Sequence, residues 1–229
     1  MKTLCIDVGG TGLKCAVVDE EGALLCERAR VKTPRPATPE NVVMALGDLV
    51  ATMPDYDRVS VGFPGVVAAG VVKTAPNLDG PWRDFELAVA IAELTDKPTR
   101  AANDADVAGL AVVEGRGVEL LLTLGTGVGA GLYLDGRLVP NLELGHHPFR
   151  KDGSYEDYLR DSELKRIGKK RWNRRVLRAL EQLDPVFNYR LIYLGGGNAR
   201  HLRGELPENV RVVDNVAGVL GGVKLWRDS

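Results

Sequence analysis

The chain has 229 residues, 45% hydrophobic and 27% charged, a balance that excludes a disordered or fibrous protein. Lys and Arg number 30 against 31 Asp and Glu, so a formal net charge of -1 gives no whole-molecule attraction to nucleic acid or to a membrane surface. Glycine is the departure: there are 27, where an average chain of this length would carry about 16, and glycine collects where backbone turns tightly or approaches a ligand.

The first element in chain order is a pair of strands around a glycine turn, residues 3–19, with Asp7-Val8-Gly9-Gly10-Thr11-Gly12 at its centre. A proline-rich stretch, residues 33–39, breaks regular structure. Thr38-Pro39-Glu40 then starts a helix that continues over residues 42–53 and stops before Pro54. Residues 58–63 form a strand that ends in Gly62-Phe63-Pro64-Gly65. Residues 84–95 read as a helix stopped by Pro98, and Asn103-Asp104 precedes a helical run over 105–113.

The second half opens as the first did. Residues 120–124 are a strand, Gly125-Thr126-Gly127-Val128-Gly129-Ala130-Gly131 turns, and Leu132-Tyr133-Leu134 runs to Asp135-Gly136. Strand, Gly/Thr turn, strand and acidic-Gly turn thus occur twice, which predicts two similarly built lobes. Residues 161–183 carry the longest helical pattern. Residues 191–194 are a buried strand leading into Gly195-Gly196-Gly197-Asn198, residues 210–213 a last strand, and 215–226 a C-terminal helix.

Cys5, Cys15 and Cys26 are an odd set with no Cys-x-x-Cys pair, which fits a reducing compartment. The start lacks a long apolar stretch, and no run reaches the ~20 residues of a membrane span, so a soluble, cytoplasmic protein is expected.

Gly125-Thr126-Gly127-Val128-Gly129-Ala130 matches the dinucleotide pattern G-x-G-x-x-[GA], but that fingerprint needs a helix after the loop, and a strand is predicted here. No G-x-x-x-x-G-K-[ST] sequence exists. What remains is a pair of hairpin loops rich in unobstructed N–H groups, which can cradle phosphate oxygens, with Thr11 and Thr126 adding hydroxyls. Asp7, at a strand end beside the first loop, is where Mg2+ would be held, with waters retained. Asn103 and Asp104 suit a helix N-cap, yet Asn103-Asp104-Ala105-Asp106 holds more polar groups than one cap needs, and a carboxylate there can act as a general base. Asp106 reads as an ordinary first-turn residue. Glu143-Leu144-Gly145-His146-His147 sets a carboxylate and an imidazole about a glycine, suited to vicinal hydroxyls, although a surface loop would account for these residues by themselves.

These motifs together resemble the ROK-type sugar kinases of the actin/hexokinase superfamily. Asp7 to Lys14 looks like their first phosphate motif. Gly62-Phe63-Pro64-Gly65, Asn103-Asp104-Ala105-Asp106, Leu124-Gly125-Thr126-Gly127, Glu143-Leu144-Gly145-His146 and Gly195-Gly196-Gly197 follow in the family's order over nearly the whole chain. Within the family the chain looks most like the glucokinases, the polyphosphate-using ones among them. The resemblance implies an α/β fold of two actin-like (ribonuclease H-like) lobes flanking a central cleft. Residues 1–103, joined by a C-terminal helix 215–229, would carry the sugar side and first phosphate loop; residues 104–214 would carry the second phosphate loop and the nucleotide side.

The resemblance also implies roles. Asp104 would be the base for the sugar 6-hydroxyl. Asn77, Asn103, Glu143, His146, Glu156 and Gly65 would hold the sugar. Gly9, Gly10, Thr11, Lys14, Gly125, Thr126 and Gly127 would hold donor phosphates, Gly195, Gly196, Gly197 and Asn198 the nucleotide, and Asp7 the Mg2+. Gly145-His146-His147-Pro148-Phe149-Arg150 continues without the cysteines of the family's zinc loop, so no structural zinc is expected. Glucose or a related hexose, ATP and/or polyphosphate, and a second copy in a homodimer are the expected partners, with neither nucleic acid nor membrane among them.

Lys165, Arg166, Lys169, Lys170, Arg171, Arg174, Arg175 and Arg178 concentrate positive charge in the longest helical stretch. They form either a solvated face or a track for polyphosphate beside ATP as the main donor. A ROK-type repressor would need a helix-turn-helix before Asp7, for which there is no room. A non-catalytic sugar-binding module, and a kinase for fructose or an N-acyl amino sugar, remain alternatives.

Overall fold

The computed structural model describes residues 1–213 and 218–227. The chain divides into two compact units: Met1–Ala111 with the described part of Ala217–Ser229, and the described part of Val112–Val216.

In the first unit, β1 (Thr3–Val8) and β2 (Gly12–Val18) form the expected hairpin, with Asp7 opposite Lys14. β3 (Ala29–Lys32) adds to β2. α1 (Pro39–Val50) starts where Thr38 and Pro39 predict, the Thr38 hydroxyl accepting from the Asn41 N–H at 3.4 Å. β4 (Arg58–Phe63) has the expected bounds. A small hairpin of β5 (Val67–Ala68) and β6 (Val71–Val72) follows. α2 (Leu87–Thr95) begins three residues later than its apolar pattern, because Asp84 takes a left-handed backbone (φ 62°) that a helix cannot contain. β7 (Thr99–Asn103) leads directly into α3 (Asp104–Val112).

The sheet order is β3-β2-β1-β4-β7, with β1, β4 and β7 parallel. Leu4, Ile6 and Val8 of β1 pack with Val59, Val61 and Phe63 of β4 against Leu46 and Ile91 from the two helices. The alternate residues Cys5, Ala16 and Val18 face Val223 on the other side.

In the second unit, β8 (Val118–Leu124), β9 (Val128–Leu134) and β10 (Arg137–Val139) form a meander. A 3-10 turn (Leu144–His146), β11 (Pro148–Arg150), β12 (Gly153–Ser154) and α4 (Tyr155–Leu159) come next. The single long helix expected over 161–183 is two: α5 (Asp161–Ile167) and α6 (Lys169–Phe187). Gly168, at φ 77°, turns the chain out of helical geometry between them, although the apolar spacing continues across the break. β13 (Leu191–Gly195) and β14 (Val210–Val212) finish a sheet of order β10-β9-β8-β13-β14. Leu120, Leu122 and Leu124 meet Trp172, Val176 and Leu180 on the apolar face of α6.

The two sheets share one strand order and one pattern of parallel and antiparallel pairs, which is the internal repeat expressed as topology. The C-terminal helix expected from 215 falls partly outside the described residues. What is described is α7 (Gly218–Gly221), then a 3-10 turn (Gly222–Trp226), both against the first unit. A Cβ on Gly221 would lie 1.7 Å from the Val107 carbonyl oxygen of α3, and one on Gly222 2.7 Å from the Cys5 sulfur, so this approach needs glycine at both positions. Trp226 stacks on Arg100 (4.5 Å) and Arg58 (5.1 Å) and donates its ring N–H to Ser60. All of α3 but Val112 lies in the first unit. Among the described residues, no helix is long and apolar enough to cross a membrane.

Candidate active site

The first unit carries its candidate residues at the C-terminal ends of three parallel strands. The register runs Asp7 to Gly62 to Ala102, and Phe63 to Asn103, so Asp7 and Asp104 lie two strands apart, on the order of 10 Å. This end of a parallel sheet is where α/β folds gather ligands.

Asn103 is the cap of α3: its Oδ1 accepts from the N–H groups of Ala105 (2.8 Å) and Asp106 (3.2 Å). Its Nδ2 donates to the Gly65 carbonyl at 3.2 Å. A ligand is therefore left only the second amide hydrogen. Asp104 is half-buried as the first residue of the helix, its Oδ1 accepting from the Ala105 N–H at 2.7 Å. Asp106 is in the first turn of α3, as expected, and is 1% exposed. Gly65 cannot be replaced without moving backbone, since a Cβ there would sit 2.0 Å from the Thr74 carbonyl oxygen.

The first glycine loop is held by residues the sequence motifs do not include. The Gly9 carbonyl accepts from the Thr33 hydroxyl (2.5 Å), that of Gly10 from the Arg35 guanidinium (2.8 Å), and that of Gly12 from the Gly9 N–H (3.1 Å). An anion cradle must turn its carbonyl oxygens away from the anion, and here three of them are engaged by the protein. Gly9 serves the turn with its own N–H, which leaves Gly10 and the exposed Thr11 as the candidate phosphate donors. Asn77 is exposed, with its backbone against Gly10.

Lys14 and Asp7 face each other across the hairpin, Nζ to Oδ2, at 2.7 Å. The Asp7 side chain is 20% exposed. A carboxylate with one oxygen engaged, at a strand end beside a phosphate loop, fits Mg2+, which takes one or two carboxylates, donor phosphates and several waters.

In the second unit, Gly145 brings the 3-10 turn so close to β9 that a Cβ would lie 2.4 Å from the Val128 carbonyl oxygen. The flanking Glu143 and His146 stand 3.5 Å apart, Oε2 to Nε2. Burial raises the Glu143 carboxyl above its ordinary value, His146 opposes this and Glu156 reinforces it, so the three form one electrostatic group. Glu156, on α4, accepts from the Val128 N–H at 3.0 Å, and a Cβ on Gly127 would fall 2.6 Å from its Oε2. It therefore braces the second glycine loop as well as neighbouring Glu143.

That loop is tied at both ends. Gly125 donates to the Gly127 carbonyl (3.0 Å), and its own carbonyl accepts from the Asp161 N–H (2.8 Å) and the Asn198 amide (3.4 Å). Thr126 is exposed. The Asn198 N–H bonds the Leu124 carbonyl at 2.9 Å. Gly196 (φ 83°) packs so tightly on Leu124 that a Cβ would meet its oxygen at 2.5 Å, while a Cβ on Gly197 would meet nothing within 4 Å. Residues 195–198 and the loop thus form one assembly. The strand predicted after the loop is present as β9, so the dinucleotide reading is excluded by geometry.

A model of the ROK family matches residues 3–155. The chain belongs to the ROK family. It is 34% identical to a polyphosphate glucokinase of Mycobacterium leprae over 236 aligned positions, which cover 94% of this chain and 72% of that protein. It is 33% identical to the Mycobacterium tuberculosis (H37Rv) polyphosphate glucokinase, covering 94% and 88%. Among solved structures, the inorganic polyphosphate/ATP-glucomannokinase of Arthrobacter sp. strain KM superposes with a TM-score of 0.87 at 33% identity, over 98% of this chain and 97% of that one. A ROK glucokinase from Streptomyces griseus, solved with glucose and AMPPNP, shares the fold at 23% identity, with a TM-score of 0.83 over 100% of both chains.

Proposed function

We propose that this ROK-family chain transfers a phosphoryl group from polyphosphate, ATP or both to the 6-hydroxyl of glucose, with Asp104 as the general base. The observation that carries the reading is Asp104 itself, a half-buried carboxylate set by the Asn103 cap at the end of β7, in a chain similar over 94% of its length to polyphosphate glucokinases. The chain is a phosphotransferase with an alcohol acceptor, and such transfer asks mainly for positioning, charge neutralisation and a base.

In this reading Asp104 orients the 6-hydroxyl and takes its proton as the oxygen attacks phosphorus. Asn103, Glu143 and His146 hold ring hydroxyls. Gly10, Thr11 and the loop at Gly125, Thr126 and Gly127 bind the phosphates of the donor, and residues 195–198 support the donor side. Asp7 would hold Mg2+ through water, and the ion would supply charge neutralisation on the donor phosphates.

Glucose phosphorylation assayed with ATP and with polyphosphate, alongside mannose, fructose and N-acetylglucosamine, tests the reading. Preference for glucose is expected, and equal turnover of all four sugars would sink it. Mannose is the second acceptor to examine, because the Arthrobacter enzyme is named a glucomannokinase. Glu143→Gln should raise the KM for glucose about tenfold, the size of one charged hydrogen bond lost, and leave the KM for donor within twofold. An unchanged glucose KM removes Glu143 from the sugar site.

A further inference from the structure

The basic stretch of α5 and α6 is not uniform. Lys165 pairs with Asp161 (2.5 Å), Arg166 with Glu163 (2.6 Å), and Arg175 with the same Glu163. Those three cations are paired locally, against two carboxylates. Lys169, at the start of α6, is exposed and stands in a different setting.

The buried Asn173 amide donates to the Lys169 carbonyl (2.9 Å) and the His201 carbonyl (3.0 Å), and its oxygen accepts from the Arg203 N–H (2.7 Å). One side chain thereby locks the start of α6 to the 3-10 turn Ala199–His201 and to Arg203. Arg203 folds back to donate to the Arg200 carbonyl at 2.7 Å. Four basic residues from segments about 30 positions apart are held in one place. The His201 imidazole registers this: slight burial and the charges of Lys169, Arg200 and Arg203 hold it below its ordinary value, with Asp161 opposing.

The cluster continues the phosphate loop. Asn198, whose N–H and amide bond the Leu124 and Gly125 carbonyls, immediately precedes the turn that carries Arg200 and His201. A donor anchored at Gly125 to Gly127 and extended past Asn198 arrives at cations. Cations match phosphate oxygens better than the neutral face of a purine.

We propose that Lys169, Arg200, His201 and Arg203 form a subsite for the distal phosphates of an inorganic polyphosphate donor. The proposal rests on the donor reading above and adds the place where the chain beyond the reacting phosphates is held. A polyanion releases counterions on binding, so its affinity falls with salt in proportion to the cationic contacts made.

The test is the double variant Lys169→Gln/Arg200→Gln, which changes two exposed side chains, with Arg178→Gln as control. Arg178 lies on the same helix about 13 Å further on. The double variant should raise the KM for long-chain polyphosphate at least tenfold, flatten its salt dependence by one to two contacts, and leave the KM for ATP within twofold. Arg178→Gln should match wild type. In the wild type, long-chain polyphosphate should also raise the His201 pKa, read by NMR of the ring protons. Wild-type enzyme that uses polyphosphate with a double variant that is no worse overturns the subsite alone. Wild-type enzyme that does not use polyphosphate overturns the donor reading and the subsite together. A larger effect on ATP than on polyphosphate assigns the cluster to the nucleotide and overturns it also.

Discussion

Asp104→Asn is expected to lower the turnover of glucose phosphorylation by ~10²–10⁴, the range for a positioned general base. The asparagine oxygen can still accept from the Ala105 N–H, and the α3 cap belongs to Asn103, so the helix start survives the change. What disappears is the negative charge and the proton acceptor. A loose phosphoryl-transfer transition state needs the proton only late, so a carboxylate suffices as the base. The thermal midpoint and the glucose Kd should therefore stay near wild type while turnover collapses. Turnover within fivefold of wild type would remove Asp104 from the chemistry. Asp106 is unsuitable as a neutral control: at 1% exposed, its replacement tests the packing of α3 and not the reaction.

Glu119→Ala should cost about 3–5 kcal/mol in denaturant unfolding, as expected when one partner of a buried ionic group is removed. Glu119 is fully buried. Its carboxylate accepts from the N–H groups of Glu114 (3.0 Å), Gly115 (2.7 Å) and Arg116 (3.1 Å), from the Tyr193 hydroxyl (2.8 Å) and from Arg190 (3.0 Å). Deleting it strands three backbone donors and a tyrosine hydroxyl at once. Burial acts to raise this carboxyl, but the Tyr193 hydroxyl and the three backbone N–H groups outweigh it and hold the group below its ordinary value. A depressed carboxylate contributes stability that is present above the unfolded value, about 4.3, and is lost as pH falls through the folded one. Wild type should therefore lose stability on acidification below about pH 4 more steeply than Glu119→Ala does. A loss under about 1 kcal/mol at neutral pH would show that the loop does not depend on this anchor.

Much of this was legible because local chemistry and tertiary position agree. The two strand–glycine–strand units, β4, and the Thr38-Pro39 start of α1 were readable from residues that work within a few positions of themselves. The Asn103 cap belongs to the same class. Elements decided by a partner far along the chain were not readable. β7 sits at the sheet edge and is only partly buried, so its sequence carries little strand signal. Gly168 breaks a helix whose apolar spacing runs straight on. In the site, Thr33 and Arg35 reach the first loop from a stretch that signals only a break in structure, and the bond from Val128 to Glu156 depends on where α4 lands. No spacing rule links such residues.

The return of the chain to the first unit also sets an order of events during synthesis. Cys5, Ala16 and Val18 have only Cys26 against them on one sheet face until Leu220 and Val223 exist, and Ser60 and Arg100 wait for Gly222, Leu225 and Trp226. Both sheets have all their strands before that, the first by Asn103 and the second by Val212. Domains ordinarily mature from the N-terminus as the ribosome delivers them. Here the unit translated first is finished by residues made after the last strand of the second.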